Sequence, residues 1–165
     1  MLDPIQYIFT ATILFYLLDS IWEIGSIYNP QKFRKALANY FIITGLCLHS
    51  AFLITVSLQT GNLPISTLFE SATFYLFLIV LISVVIEYVY RMPSITPFLM
   101  PVITGFSIAA IALVGNNLTL KYELKKFWQF AHIIPIFLGY AAFTVSFILS
   151  IMYLTQERQL KKKAF

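Results

Sequence analysis

Charged side chains are scarce in this sequence: Asp, Glu, Lys and Arg make up 11% of its 165 residues, against roughly a quarter in an ordinary soluble domain. Hydrophobic residues reach 59%. A soluble chain of this length keeps too much of its volume near the boundary to hide that much apolar surface, so a soluble globular domain is excluded. Cysteine is represented once, by Cys47, inside a hydrophobic run. That rules out an intramolecular disulfide and a paired-cysteine metal site, so no redox compartment follows. A buried, inert thiol is the expectation. A glycine-rich phosphate loop is missing, as is any Ser, His and Asp arrangement suited to hydrolysis, which disfavours an enzyme with chemistry of its own. No internal repeat or low-complexity linker divides the chain, so a single domain over residues 1–165 is expected.

What the sequence does contain is a series of runs of about 20 apolar residues, each long enough to cross a hydrocarbon core about 30 Å thick. They predict an all-α, polytopic membrane protein with about five transmembrane helices in a lipid bilayer, near residues 6–27, 38–58, 66–90, 95–114 and 128–154. The first run has no basic residue before it and no small-residue cleavage site after it, unlike a normal signal peptide. Tyr28-Asn29-Pro30, Arg91-Met92-Pro93 and the Gly61-Asn62 and Pro64 stretch read as breaks. Residues 115–127 form a polar stretch. Pro97 and Pro101 make the fourth run less regular, and Pro135 falls in the first turns of the fifth. The chain closes with a hydrophilic tail, residues 155–165. Its 16 Phe and 10 Tyr suit lipid contact and interfacial belts.

The formal charge of +4 is carried by short loops and the tail, a distribution that orients membrane helices, and a nucleic-acid partner is discarded on that ground. Lys32, Arg34, Lys35, Arg91, Arg158, Lys161, Lys162 and Lys163 share one side, eight of the eleven basic residues. Lys121, Lys125 and Lys126 face the other. The positive-inside rule then puts the N-terminus outside and the C-terminus in the cytoplasm. A multi-pass protein of the plasma membrane, the bacterial inner membrane, is the expectation.

Titratable groups within membrane segments are costly and are candidates for function. His49, near the middle of the second segment, suits either ligation of a metal or haem iron or a hydrogen bond to a neighbouring helix. His132 lies in the first turns of the fifth segment, just after Trp128 and Phe130, where it can meet a flat ligand from outside or serve as an ordinary interfacial residue. Glu70 has capping-box spacing from Ser66 or Thr67 and sits at the positive end of the helix dipole. Asp19 and Glu23, one turn apart, read as a polar face near the cytoplasm, and Glu87 reads the same way. Asn117-Leu118-Thr119 matches a glycosylation sequon, a pattern common by chance.

Two stretches carry a family resemblance. Leu63-Pro64-Ile65-Ser66-Thr67-Leu68-Phe69-Glu70-Ser71 places a proline and small polar residues ahead of Leu-aromatic-Glu-Ser at a helix start. His132-Ile133-Ile134-Pro135-Ile136-Phe137-Leu138-Gly139-Tyr140-Ala141-Ala142-Phe143 runs on to Ser146-Phe147 and Ser150, and closes with Met152-Tyr153-Leu154-Thr155-Gln156-Glu157-Arg158-Gln159-Leu160-Lys161. Together they resemble the cytochrome c assembly membrane protein family. Its members include the haem-handling component of the two-protein cytochrome c synthase and the HemX-type proteins associated with tetrapyrrole synthesis. Leu48-His49-Ser50-Ala51 sits where such proteins carry an intramembrane histidine.

The resemblance implies a membrane protein of cytochrome c biogenesis that binds or presents haem, not itself an enzyme, and at most part of a haem-attachment complex. His132 and His49 would be the haem-iron ligands, one on each axial face, with Glu70, Tyr140 and Trp128 in structural or site-supporting roles. A second synthase subunit, apocytochrome c or a tetrapyrrole-synthesis enzyme would be the partner. The alternatives are a HemX-type regulator of tetrapyrrole synthesis, or a small transporter or scaffold with structural histidines. The family's tryptophan-rich outer segment is not matched, since Trp22 and Trp128 are the only tryptophans. The chain is expected to correspond to the N-terminal half of a longer member.

The predicted orientation has a direct check. A reporter joined after Phe165 should be active in the cytoplasm, and activity confined to the outside would reverse the topology.

Overall fold

The computed structural model describes residues 4–29, 33, 35–90, 95–114 and 126–163. Lys32, Arg34, Arg91, Lys121, Lys125 and the Asn117 sequon fall outside the described residues. Five helices make up the bundle: α1 (Pro4–Tyr28), α2 (Lys35–Thr60), α3 (Leu68–Tyr90), α4 (Thr96–Ile111) and α5 (Ile134–Lys163), the last preceded by a short turn at Lys126–Trp128 and a π-helical turn at Gln129–Ile133. No strand occurs among the described residues. Among the described residues, four helices are long and apolar enough to cross a bilayer, while α4, with 16 residues, is shorter.

The ends follow local chemistry. Gly61, at φ +66°, closes α2, with its N–H donating to the Ser57 carbonyl at 2.9 Å, a left-handed cap that glycine adopts without a Cβ clash. At the start of α3, the Thr67 hydroxyl accepts from the Glu70 N–H at 3.1 Å and the Glu70 carboxylate accepts from the Ser66 N–H at 2.7 Å. This is capping-box chemistry with the return bond displaced by one residue. Pro97 stands in the first turn of α4, where its missing N–H is harmless, and Pro101 lies inside the helix.

Helices α1, α2, α3 and α4 each touch the next, and α4 returns to α1, so the four form a closed ring. Helix α5 packs outside that ring on α3 and α4. The central core joins Leu76, Ile79 and Val80 of α3, Leu99, Met100 and Ile103 of α4, and Ala141 and Val145 of α5. A second cluster joins Phe9 and Ile13 of α1 to Phe52, Leu53 and Val56 of α2.

Helix α1 is inverted relative to a soluble amphipathic helix. Thr12, Tyr16, Asp19, Ser20 and Glu23 are buried, while Leu14, Leu17, Leu18, Ile21 and Ile24 face outward. Hydrocarbon solvates the leucines and isoleucines, so the polar stripe turns inward, where Ser20 Oγ meets Thr104 Oγ1 at 2.8 Å and the Thr104 hydroxyl donates to the Tyr16 carbonyl at 3.1 Å. Asp19 and Glu23, which read from the sequence as a polar face near the cytoplasm, are buried within the bundle. The buried thiol expected at Cys47 is corrected, since it is exposed on α2: in lipid an apolar side chain gains nothing by moving inside. The hydrophilic tail also differs from expectation, continuing α5 as helix to Lys163 with a Glu157–Lys161 ion pair at 2.6 Å.

Helices α1 and α2 approach closely because Gly45 carries no side chain. A Cβ built there would lie 2.6 Å from the Tyr16 ring. Gly45→Val should lower the unfolding free energy in detergent by about 1–3 kcal/mol, the usual cost of overpacking. Gly105→Ala, whose added Cβ meets nothing within 4 Å, should not lower it. Equal behaviour of the two variants would contradict this packing.

Candidate functional site

His132 lies in the π-helical turn Gln129–Ile133. Pro135 explains the turn: it has no N–H for the Ala131 carbonyl and its ring crowds that carbonyl, so the hydrogen-bond ladder widens just before it. Among the described residues, the turn contacts only the helical segments on either side of it in the chain. It holds the His132 side chain exposed, and Phe127, Trp128 and Phe130, just before it in the chain, are exposed as well. Phe127 and Trp128 meet edge to face, with centroids 6.0 Å apart. An exposed imidazole, with exposed aromatic residues close to it in the chain, has the donor chemistry to bind the iron of a flat, apolar macrocycle.

His49 is held quite differently. Its ring is fully buried, with the centroids of Phe9, Phe52 and Phe77 between 5.5 and 6.3 Å away. Tyr16 Oη lies 3.2 Å from Nδ1. The Thr73 backbone is within interaction reach of the ring, yet Nε2 makes no hydrogen bond of ordinary geometry. Nε2 offers a lone pair to a ligand when Nδ1 carries the proton and donates to Tyr16. The donor chemistry fits an iron, but the enclosing rings leave no room for a macrocycle in this arrangement. Helix α2 touches neither the π-turn nor α5, so the two histidines are not brought together.

The remaining expected residues separate by role. Glu70 is engaged in capping α3. Trp128 stands in the exposed aromatic surface beside the π-turn. Tyr140 lines an open groove of about 610 Å³ between α3 and α5, with Tyr75, Phe137, Phe143 and Phe147. That groove adjoins an apolar cavity of about 460 Å³ between α3, α4 and α5, and both share Ala72, Tyr75, Leu113 and Thr144. Tyr75 and Thr144 are hydrogen-bonded through their hydroxyls and tie α3 to α5.

Sequence reasoning passed over Tyr16, although it is the hydrogen-bond partner of His49. The signal was present in the helical spacing of Thr12, Tyr16, Asp19 and Glu23, which puts these groups on one face. Glu87 is also more than a surface group. It pairs with Lys35 at 2.6 Å and accepts a hydrogen bond from the Thr96 hydroxyl, joining α2, α3 and α4 at one end of the bundle.

Comparison with known proteins adds an independent line. The family described as cytochrome C assembly protein matches residues 65–165. Protein HemX of Brevibacillus brevis is 27% identical over 164 residues, covering 95% of this chain and 58% of that protein. Cytochrome c biogenesis protein CcsA of Prochlorococcus marinus (strain NATL1A) is 29% identical, covering 90% of this chain and 48% of that protein. For the CcsA of Microcystis aeruginosa the identity is 31%, with coverage of 90% and 47%. The chain spans about half the length of these relatives, and no solved structure matches it significantly. The match over α3, α4 and α5, the segment that carries both the Glu70 cap and the His132 turn, shows that this chain belongs to the cytochrome c assembly protein family.

Proposed function

We propose that this chain is a haem-handling component of cytochrome c biogenesis, which binds or presents haem at the His132 turn and performs no bond-making chemistry alone. The observation that carries the reading is an exposed imidazole in a π-turn, flanked by exposed aromatic rings. Turns of this type are frequent at functional sites. Bound haem would supply the redox chemistry of its iron. The chain would supply a nitrogen ligand from His132 and apolar surface from Trp128 and its neighbours. Tyr140, about two turns along α5 from His132, would extend that surface toward the α3–α5 groove.

His49 is the second proposed ligand. Its nitrogen has the required chemistry, but Phe9, Phe52 and Phe77 must move before a macrocycle can reach it, so it is proposed for a separate intramembrane position. The reading includes the orientation derived from charge, with His132 outside and the α5 end in the cytoplasm of a bacterial inner membrane. A second synthase subunit or apocytochrome c are the proposed partners. The matches to HemX proteins over nearly the whole chain favour one other reading, a regulator acting on a tetrapyrrole-synthesis enzyme.

Absorbance separates these readings. Protein purified with or supplied with haem should show a Soret band, and His132→Ala should weaken haem affinity about tenfold or more, equivalent to about 1.4 kcal/mol or more. Wild-type affinity in His132→Ala would remove that residue from the site. A colourless protein that takes up no added haem, but retains an enzyme of tetrapyrrole synthesis in a pull-down, would favour the regulatory reading.

A further inference from the structure

A second polar site lies inside the bundle, and the haem reading makes no use of it. Asp19 of α1 is 0% exposed, and both of its carboxyl oxygens lack a hydrogen-bond partner. Polar residues inside membrane bundles commonly act as glue by hydrogen bonding across helices. Ser20 and Thr104 do this one residue away, whereas Asp19 does not. An ionisable group kept within a membrane span is expensive, and where it persists it marks an ion or proton pathway.

The surroundings narrow the ion. The charged and titratable groups in the field of Asp19 are Glu23 and Tyr16 on its own helix, Lys35 on α2 and Glu87 on α3. Helix α4 brings the Thr104 hydroxyl to this region through Ser20 and has no titratable residue. Lys35 is committed to an ion pair with Glu87 at 2.6 Å. Among the described residues no group of His, Cys, Asp and Glu is arranged to hold a metal ion. A proton is the cation that a lone carboxyl can take without further ligands.

An access route is also present. Glu23 lies one helical turn beyond Asp19 and is itself only 3% exposed. It nevertheless lines an open cleft of about 510 Å³ at the Lys35 end of the bundle, where Lys35, Gln156 and Gln159 stand among apolar residues such as Phe33 and Phe98. Glu23 therefore stands between the unpartnered carboxyl of Asp19, one helical turn away, and an opening that carries Lys35, Gln156 and Gln159.

We propose that Asp19 is a proton-exchange site within the membrane span, loaded and emptied through Glu23 from this cleft. In the loading direction a hydronium in the cleft gives its proton to the Glu23 carboxylate. Glu23 then passes a proton to a carboxylate oxygen of Asp19 and returns to its starting form. The reverse sequence gives the proton back to water. Only O–H bonds are made and broken, and no oxidant or reductant takes part. The site stands on α1 and its neighbours, so it is independent of whether His132 binds haem.

Infrared difference spectroscopy of the full chain in lipid nanodiscs, after a pH jump, reads this directly. A carboxyl C=O band should change with pH and shift in heavy water. The sequence holds two aspartates, Asp3 and Asp19, so isotopic labelling of the aspartate carboxyl carbon, with Asp3→Asn as control, assigns the band even if an Asp19 variant does not fold. In folded Asp19→Asn the band should vanish. In Glu23→Gln it should persist and respond about a hundredfold more slowly, the lower range of what a positioned proton-transfer group contributes. Absence of any exchanging aspartate band in the wild-type chain would overturn the proposal, as would its survival in Asp19→Asn. An undiminished rate in Glu23→Gln would overturn the route.

Discussion

The close approach of α1 to α2 at Gly45 is the contact on which the bundle depends. Without a side chain at that position the Tyr16 ring can lie against α2 and reach His49 with its hydroxyl. That contact fixes the rotation of α1, and the rotation decides everything else on the helix. Thr12, Asp19, Ser20 and Glu23 are carried inward with Tyr16, while the leucines and isoleucines of α1 turn to the lipid. Ser20 and Thr104 then lock α1 to α4 and close the ring of helices.

Much of this architecture was legible because hydropathy reports the solvent. The helix positions follow from apolar runs, and the breaks at Tyr28 and Gly61 follow from turn chemistry. What hydropathy does not report is which face of a membrane helix meets a neighbour, since lipid and protein interior are about equally apolar. Cys47 reads as a buried thiol and lies outward. Asp19 and Glu23 read as a polar face, and their spacing does not say that this face turns inward, as it does. The last turns of α5 were read as a tail because they are polar, yet polarity alone does not end a helix, and residues such as Gln156, Glu157 and Lys161 are good helix formers in water.

The candidate site was legible to an uneven degree. The cap at Glu70 was carried by local spacing alone, and the geometry follows it closely, with Thr67 as the capping residue and the return bond falling on Ser66. His132 and His49 were visible as residues but not as environments. The π-turn around His132 depends on Pro135, three positions further on, acting through a carbonyl one residue before the histidine. The enclosure of His49 depends on rings from α1 and α3 that no local pattern connects to it.

The π-turn also has a rotational effect. It places one more residue in the hydrogen-bonded ring than an α-turn does, and each residue of an α-helix advances the azimuth by about 100°. Everything after Ile133 is therefore out of phase with the short turn at Lys126–Trp128 by roughly that angle. The aromatic stripe that includes Phe137, Tyr140 and Phe147 is aimed at the α3–α5 groove by a phase set upstream, in the same turn that carries His132. Restoring an unbroken α-helical ladder there would leave the composition of α5 intact and swing that stripe to a different compass bearing.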